Sequence, residues 1–393
     1  MRIGILNFHR SYNYGAFLQC YSLKERIKNS FPNCEVEVID YIHASVKKGY
    51  DNSVNAYDDP KIKKEIQKRN QGFDSVLPML NLSPETFIVD SSDEVLEYMN
   101  TRYDAVVVGS DAVWNWVSRG FPNIYFLKGY RGRKFSYAAS AHLLPFEKVT
   151  DEQKKYLQDA LSEFDYLGVR DIATENFLRE IDPNLKFEHN CDPTMFLDVE
   201  SIPVAEQEVL QKLYGYGIDI ESPMIALMAN PRNIGRELSS KFEKKSVVSV
   251  YEANKFGTFV GDLNPFEWMK VLSLCGTTIT HYFHGTLLSL KGGTPVLAIE
   301  TASQYNKTYV SKLKDVLGRL DLGEWYNTTD YNKIQRGLKK YDLYYDFKLW
   351  NKLFKQIDDF LINVDIHQDR IAKSLEKEAQ SYLSFENSLR NIM

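Results

Sequence analysis

A chain of 393 residues carrying 48 lysines and arginines against 53 aspartates and glutamates has a formal charge of −5. A balance so mild, with both signs mixed along the chain, argues against bulk nucleic-acid binding and leaves room only for a local basic pocket that takes a small anion. The length exceeds one comfortable core and predicts two domains.

The four cysteines, Cys20, Cys34, Cys191 and Cys275, stand apart without a C-x-x-C pair or histidines at ligand spacing. They read as reduced core thiols, with no metal site and no disulfide frame. The chain begins on an apolar strand-like run rather than a secretory signal, and no run approaches the ~20 apolar residues that span a bilayer. The expectation is a cytoplasmic protein, at most peripheral to the inner face of the membrane.

In chain order, Ile3 to Phe8 reads as a strand, His9 to Ala16 as a polar loop with one glycine, and Phe17 to Ile27 as a helix. Val36 to Ile39, ending in Asp40, completes a βαβ start. The loop is not a G-x-G-x-x-G fingerprint, so no dinucleotide site is supported. Residues 44 to 100, rich in Lys, Asn, Asp and Ser, read as a helical insertion. Tyr103 to Val108 is a strand, apolar but for Asp104, of the kind buried in parallel sheets. Behind it Gly109-Ser110-Asp111 leads to Trp114 and Asn115, where rings beside hydroxyl and amide groups suit a sugar. A tryptophan that fills the core is the equal alternative at that position.

Lys134 to Ser140 is the next strand and Gln153 to Phe164 a helix. Tyr166 to Val169 is a strand closed by Arg170, which is either a solvated helix-start residue or a fork for phosphate or carboxylate. Cys191 to Thr194 turns out of the first half. A second α/β series follows with Met224 to Met228, Ser246 to Val250, and a helix that Asn264 caps with Pro265 at its first position. Next comes a strand from Thr277 to Tyr282, then His284-Gly285, a helix from Thr286 to Lys291, and a strand from Pro295 to Ile299. His284 sits where a strand meets a helix start, a place that attracts anions. His9 and His281 occupy loops and rank as supporting residues. The expected organisation is residues 1–200, 201–340, and C-terminal helices over 341–393.

Several motifs share an order with one known family: Asn13-Tyr14-Gly15-Ala16 with Leu18-Gln19; Val108-Gly109-Ser110-Asp111 with Val113-Trp114-Asn115; and Phe135-Ser136-Tyr137-Ala138-Ala139-Ser140. Val169-Arg170, Asp192-Pro193-Thr194, and Phe283-His284-Gly285-Thr286 before Gly293-Thr294-Pro295-Val296 continue the series. Together they resemble the polysaccharide pyruvyl transferase family over most of the chain. The resemblance implies an α/β fold of two Rossmann-like domains facing each other, GT-B-like, with a C-terminal helical extension. The first domain would hold the acceptor and the second the donor. It implies phosphoenolpyruvate as donor substrate, a saccharide acceptor that can be lipid-linked, and no cofactor or metal.

On that resemblance His284 and Arg170 are catalytic. Arg170, Lys307, Gly285 and Thr286 bind the donor, with Lys312 the alternative lysine. Asn13, Tyr14, Gly15, Ser110, Asp111, Trp114 and Asn115 bind the acceptor. The chain departs from the family at Tyr282, where arginine or serine is common, and at Ala112, where glutamine is usual. A nucleotide-sugar glycosyltransferase of the same architecture and a catalytically silent carbohydrate-binding relative are the other readings.

Overall fold

Short apolar runs separated by polar loops become the strands of two parallel sheets in the computed structural model, which describes residues 1–117, 120–141, 144, 148–228, 238, 240–251, 253, 257–301, 310–329 and 347–391. The first sheet is built from β1 (Arg2–Leu6), β2 (Glu35–His43), β3 (Leu82–Val89), β4 (Ala105–Val108), β5 (Arg133–Ala139), β6 (Tyr166–Val169) and β7 (Glu188–His189). Its strand order is 3-2-1-4-5-6-7. The second comprises β8 (Ile225–Met228), β9 (Val247–Ser249), β10 (Thr258–Phe259), β11 (Thr277–Thr280), β12 (Val296–Thr301) and β13 (Tyr326–Thr329), in the order 10-9-8-11-12-13. Every pairing is parallel.

Strand order reverses between β1 and β4 in the first sheet and between β8 and β11 in the second. In open α/β sheets a crevice forms at the carboxyl ends of such strands. The loops after β1, β4, β8 and β11 are therefore where a site is expected.

Residues 44–100 are more than a helical insertion. They include β3, which adds an edge to β2, and the Asp93–Arg102 helix that crosses to β4. The Pro60–Val76 helix, started by Asp59 and Pro60, buries Ile66 and Phe73.

Both faces of β4 are buried. Ala105 and Val107 join a core that also contains Phe266, Trp268 and Met269 of the second half, whereas Val106 and Val108 face a separate core of the first half. Near the C-terminus the Val364–Ala379 helix packs Ile371 and Leu375 into the second half's core. The Tyr382–Arg390 helix returns to the first sheet, where Tyr382 and Phe385 meet Tyr137 edge-on at 5.6 and 5.0 Å. No described helix is long and apolar enough to cross a membrane.

Candidate active site

The loops at the two reversal points enclose a cavity of about 140 Å³ between the sheets. The first half contributes Asn13, Tyr14, Gly15 and Asp111, and the second contributes Met228, Trp268, Tyr282, His284 and Lys312.

Asn13 caps the Tyr14–Ser30 helix, its Oδ1 accepting from Ala16 N at 3.1 Å. That bond fixes the first helical turn, and Gly15 on it touches the second half. A Cβ on Gly15 would fall 2.0 Å from His284 Cγ and 2.1 Å from Nδ1. Gly15 is therefore the seat of the imidazole. Tyr14 beside it stacks on Trp268, ring centroids 4.8 Å apart and 8° from parallel, and donates its hydroxyl to the Leu263 carbonyl at 3.2 Å.

The helix bearing His284 runs from Phe283 to Lys291, starting a turn earlier than the sequence suggests, so His284 is its second residue. Tyr282 at the N-cap offers no side-chain cap, which leaves first-turn N–H groups open beside the cavity. Gly285 admits no Cβ, which would come 2.7 Å from Thr280 Oγ1 and 2.9 Å from Met228 Cε. Thr286 is fully buried and donates its hydroxyl back to the Tyr282 carbonyl at 3.2 Å. Its side chain faces the helix interior and not a donor.

Behind His284 lies a buried polar network. Asp192 Oδ2 accepts from Arg170 Nη1 at 2.8 Å and from Gln19 Nε2 at 3.0 Å, and lies 3.6 Å from His284 Nε2. The Gln19 amide nitrogen also contacts His284 Nε2. With the amide oriented to donate to Asp192, its second hydrogen goes to His284 Nε2. The neutral imidazole then carries its proton on Nδ1, the nitrogen beside Gly15. Burial works to raise the Asp192 carboxyl, but its contacts with His284, Arg170 and Thr194 outweigh burial and hold it well below its ordinary range.

Arg170 is 1% exposed and does not line the cavity. Nη1 is held by Asp192, Nη2 lies 3.4 Å from Asp111 Oδ1, and the guanidinium sits 4.6 Å over the Phe283 ring. Its two terminal nitrogens face carboxylates instead of a phosphate, and its Nε is buried without a partner among the described residues. The group that does reach the cavity is Lys312, whose ammonium lies 5.2 Å from the Phe283 centroid and makes no hydrogen bond or ion pair with a described residue. Burial and the neighbouring Arg170 lower its pKa from the ordinary lysine value. Lys307 lies outside the described residues.

Asp111 lines the cavity with a left-handed backbone at φ 80°. Burial raises its carboxyl pKa, but Arg170, His284 and Lys312 together bring it below the usual value. It is thus an ionised acceptor. The rest of that loop turns away. Ser110 is buried with its hydroxyl unpartnered, and Asn115 Oδ1 accepts from Val117 N. Trp114 is fully buried, stacks on Phe126 and donates its indole N–H to the Tyr125 carbonyl at 3.1 Å. It fills the first half's core and cannot meet a sugar.

His9 is likewise buried, its Nε2 3.0 Å from Asp40. His281 packs against Tyr282, centroids 4.0 Å apart. From the sequence alone Gln19 and Asp192 have no assigned role, although a glutamine on the buried side of a helix and an aspartate before Pro-Thr are visible signals. Trp268 and Met228 gave none, because both read as core.

A family model described as polysaccharide pyruvyl transferase matches residues 13–303, from the Asn13 cap past β12. The chain belongs to that family. No curated protein matches it. Among solved structures, the transferase resembles UDP-GlcNAc 2-epimerase from Neisseria meningitidis at 10% identity and TM-score 0.56, covering 100% of both chains. A putative UDP-N-acetylglucosamine 2-epimerase from Listeria monocytogenes aligns at 10% identity and TM-score 0.54, over 97% of this chain and 93% of the other. At such identities the likeness concerns the fold, two facing Rossmann-like units of GT-B type. The transferase thus combines this architecture with its own family's motif residues around one cavity.

Proposed function

We propose that the protein transfers the pyruvyl group of phosphoenolpyruvate to two hydroxyls of one sugar in a polysaccharide precursor, free or lipid-linked, forming a ketal and releasing phosphate. The observation that carries this reading is the meeting of His284, the uncommitted Lys312 ammonium and the Asp111 carboxylate in one cavity.

The donor needs a proton on its methylene carbon and cationic partners for its phosphate and carboxylate. Lys312 and the open N–H groups at the start of the His284 helix meet the anion. In its imidazolium form His284 gives its Nδ1 proton to the methylene carbon, which becomes the methyl group, and is left as the neutral ring. One sugar hydroxyl adds to the adjacent carbon, the carbon–phosphate oxygen bond breaks, and the second hydroxyl closes the ketal. Of the two hydroxyl protons, one replaces that lost from His284 and the other leaves with phosphate. Asp111 orients the attacking hydroxyl. Arg170 acts from behind by fixing Asp192, Asp111 and Phe283, as a positioning residue.

The test is to incubate the protein with phosphoenolpyruvate and a panel of nitrophenyl and lipid-linked hexosides. Phosphate release with an acid-labile product is expected. Absence of release across the panel sinks the reading.

A further inference from the structure

A second cleft lies within the first half, at the carboxyl ends of β1 and β2. Its cavity of about 50 Å³ is lined by Arg10, Ser92 and Asn123 together with Tyr41, Tyr50 and Tyr125. That space takes part of a sugar ring and excludes a nucleotide.

Its electrostatics are those of a neutral site. Arg10 gives Nε and Nη2 to the Asp40 carboxylate, which also accepts from Thr86 at 2.7 Å and lies 3.0 Å from His9 Nε2. The guanidinium charge is therefore cancelled within the wall, and only Nη1 is uncommitted. The remaining ionisable lining residues, Asp90 and His43, lie 3.5 Å from each other, with Asp90 at the solvent rim. Among the described residues, a phosphate or carboxylate finds no cation here that is not already paired.

The wall also holds an unpaired donor. Asn123 Oδ1 accepts from Tyr125 N at 3.1 Å, whereas its Nδ2 is buried without a partner. A buried donor left unpaired is costly, and a ligand oxygen that reached it would relieve that cost. Rings beside polar donors are the arrangement that packs a sugar face and pairs its hydroxyls.

A row of packed rings separates the cleft from the His284 cavity. Tyr50 meets Tyr12 at 6.2 Å, Tyr12 meets Phe73 at 5.9 Å, and Phe73 stacks on Tyr14 at 4.9 Å. Tyr14 lines the cavity, and the loop that carries Arg10 leads directly into Asn13.

We propose that this cleft is a subsite for a neutral sugar unit of the acceptor glycan, outside the unit that reacts at His284. The reacting unit rests on the pyruvyl-transfer reading, but glycan binding in the cleft is tested separately. The wild-type protein and Ser92→Trp, which fills the cleft from a helix N-cap whose side chain caps nothing, are compared on an array of neutral, sialylated and sulfated oligosaccharides. Wild type should bind neutral oligosaccharides, Ser92→Trp and Tyr50→Ala should bind them about tenfold more weakly or worse, and Ser92→Ala should bind as wild type does. Unchanged binding by both Ser92→Trp and Tyr50→Ala, preference for charged glycans, or no neutral glycan bound by wild type overturns the proposal. Phosphate release from phosphoenolpyruvate is read in parallel. Cleft binding without release removes the pyruvyl-transfer reading and leaves the subsite.

Discussion

At the scale of single residues, the contact between Gly15 and His284 is the most exacting in the site. Gly15 is helical, where alanine is intrinsically better by about 1 kcal/mol, yet its Cβ would overlap the imidazole. Gly15→Ala should therefore displace His284 and lower kcat by about 10² or more, the scale of positioned acid catalysis. In a His284→Ala background the same substitution should be neutral or stabilising by thermal melting. Destabilisation that persists in that background would show that Gly15 is constrained by something other than the ring. Lys312 gives a pH signature of defined sign. Burial first, and Arg170 second, penalise its ammonium, so it loses its proton at lower pH than an exposed lysine. The donor is an anion, so kcat/KM for phosphoenolpyruvate should fall on the alkaline side before the ordinary lysine range. Lys312→Arg should move that limb upward and Lys312→Met should abolish it. A limb that stays in place in both variants would belong to another group.

Among elements, the Tyr382–Arg390 helix is last in sequence but belongs to the first sheet's core. Tyr382, Phe385 and Leu389 are fully buried, each worth about 1.5–3 kcal/mol by transfer. Their sum approaches the ~5–15 kcal/mol that typically separates folded from unfolded protein. A chain ending at Ala379 should melt far below the full chain, or fail to accumulate folded protein. A melting point within a few degrees of the full chain would contradict this packing. The apolar spacing of that helix was legible in the sequence, as were the runs that became β4, β6 and β8, because strands buried on both faces write themselves as unbroken apolar residues. β3 was not legible. As an edge strand it buries little, carries Pro84, and runs through three exposed residues, Pro84 to Thr86, before alternating half-buried with exposed over Phe87 to Val89, a pattern that charged loops share. Trp114 was ambiguous for a related reason. A ring beside a turn has the same sequence whether it faces a ligand or the core, and only the Tyr125 carbonyl waiting for its N–H decides the matter. Arg170 was placed correctly at its strand end, but the carboxylates that its terminal nitrogens face lie 59 and 22 residues away, a separation that no local pattern encodes.

For the molecule as a whole, the site exists only where the two halves meet, since His284 and Lys312 come from one and Gly15, Gln19, Asp111 and Asp192 from the other. Their register is held by the Tyr14–Trp268 stack, by the Tyr14 hydroxyl on the Leu263 carbonyl, and by the Pro60–Val76 helix, whose Lys68 pairs with Asp262 at 3.2 Å and Glu65 with the Tyr216 hydroxyl. Trp268→Ala removes the central ring, and Trp325→Ala provides the comparison. Both tryptophans are 2% exposed, but Trp325 packs on Phe360 in the second half's own core, away from the cavity. Each substitution should cost about 3–5 kcal/mol of stability. Their effects on catalysis should part company, because a misplacement of about 1 Å between reacting groups costs on the order of 10²-fold in rate. Measured well below both melting points, Trp268→Ala should lose most of its kcat/KM and Trp325→Ala should keep nearly all of it. Equal losses in the two variants would mean that activity follows general stability, and that the stack does not set the distance between His284 and its partners in the first half.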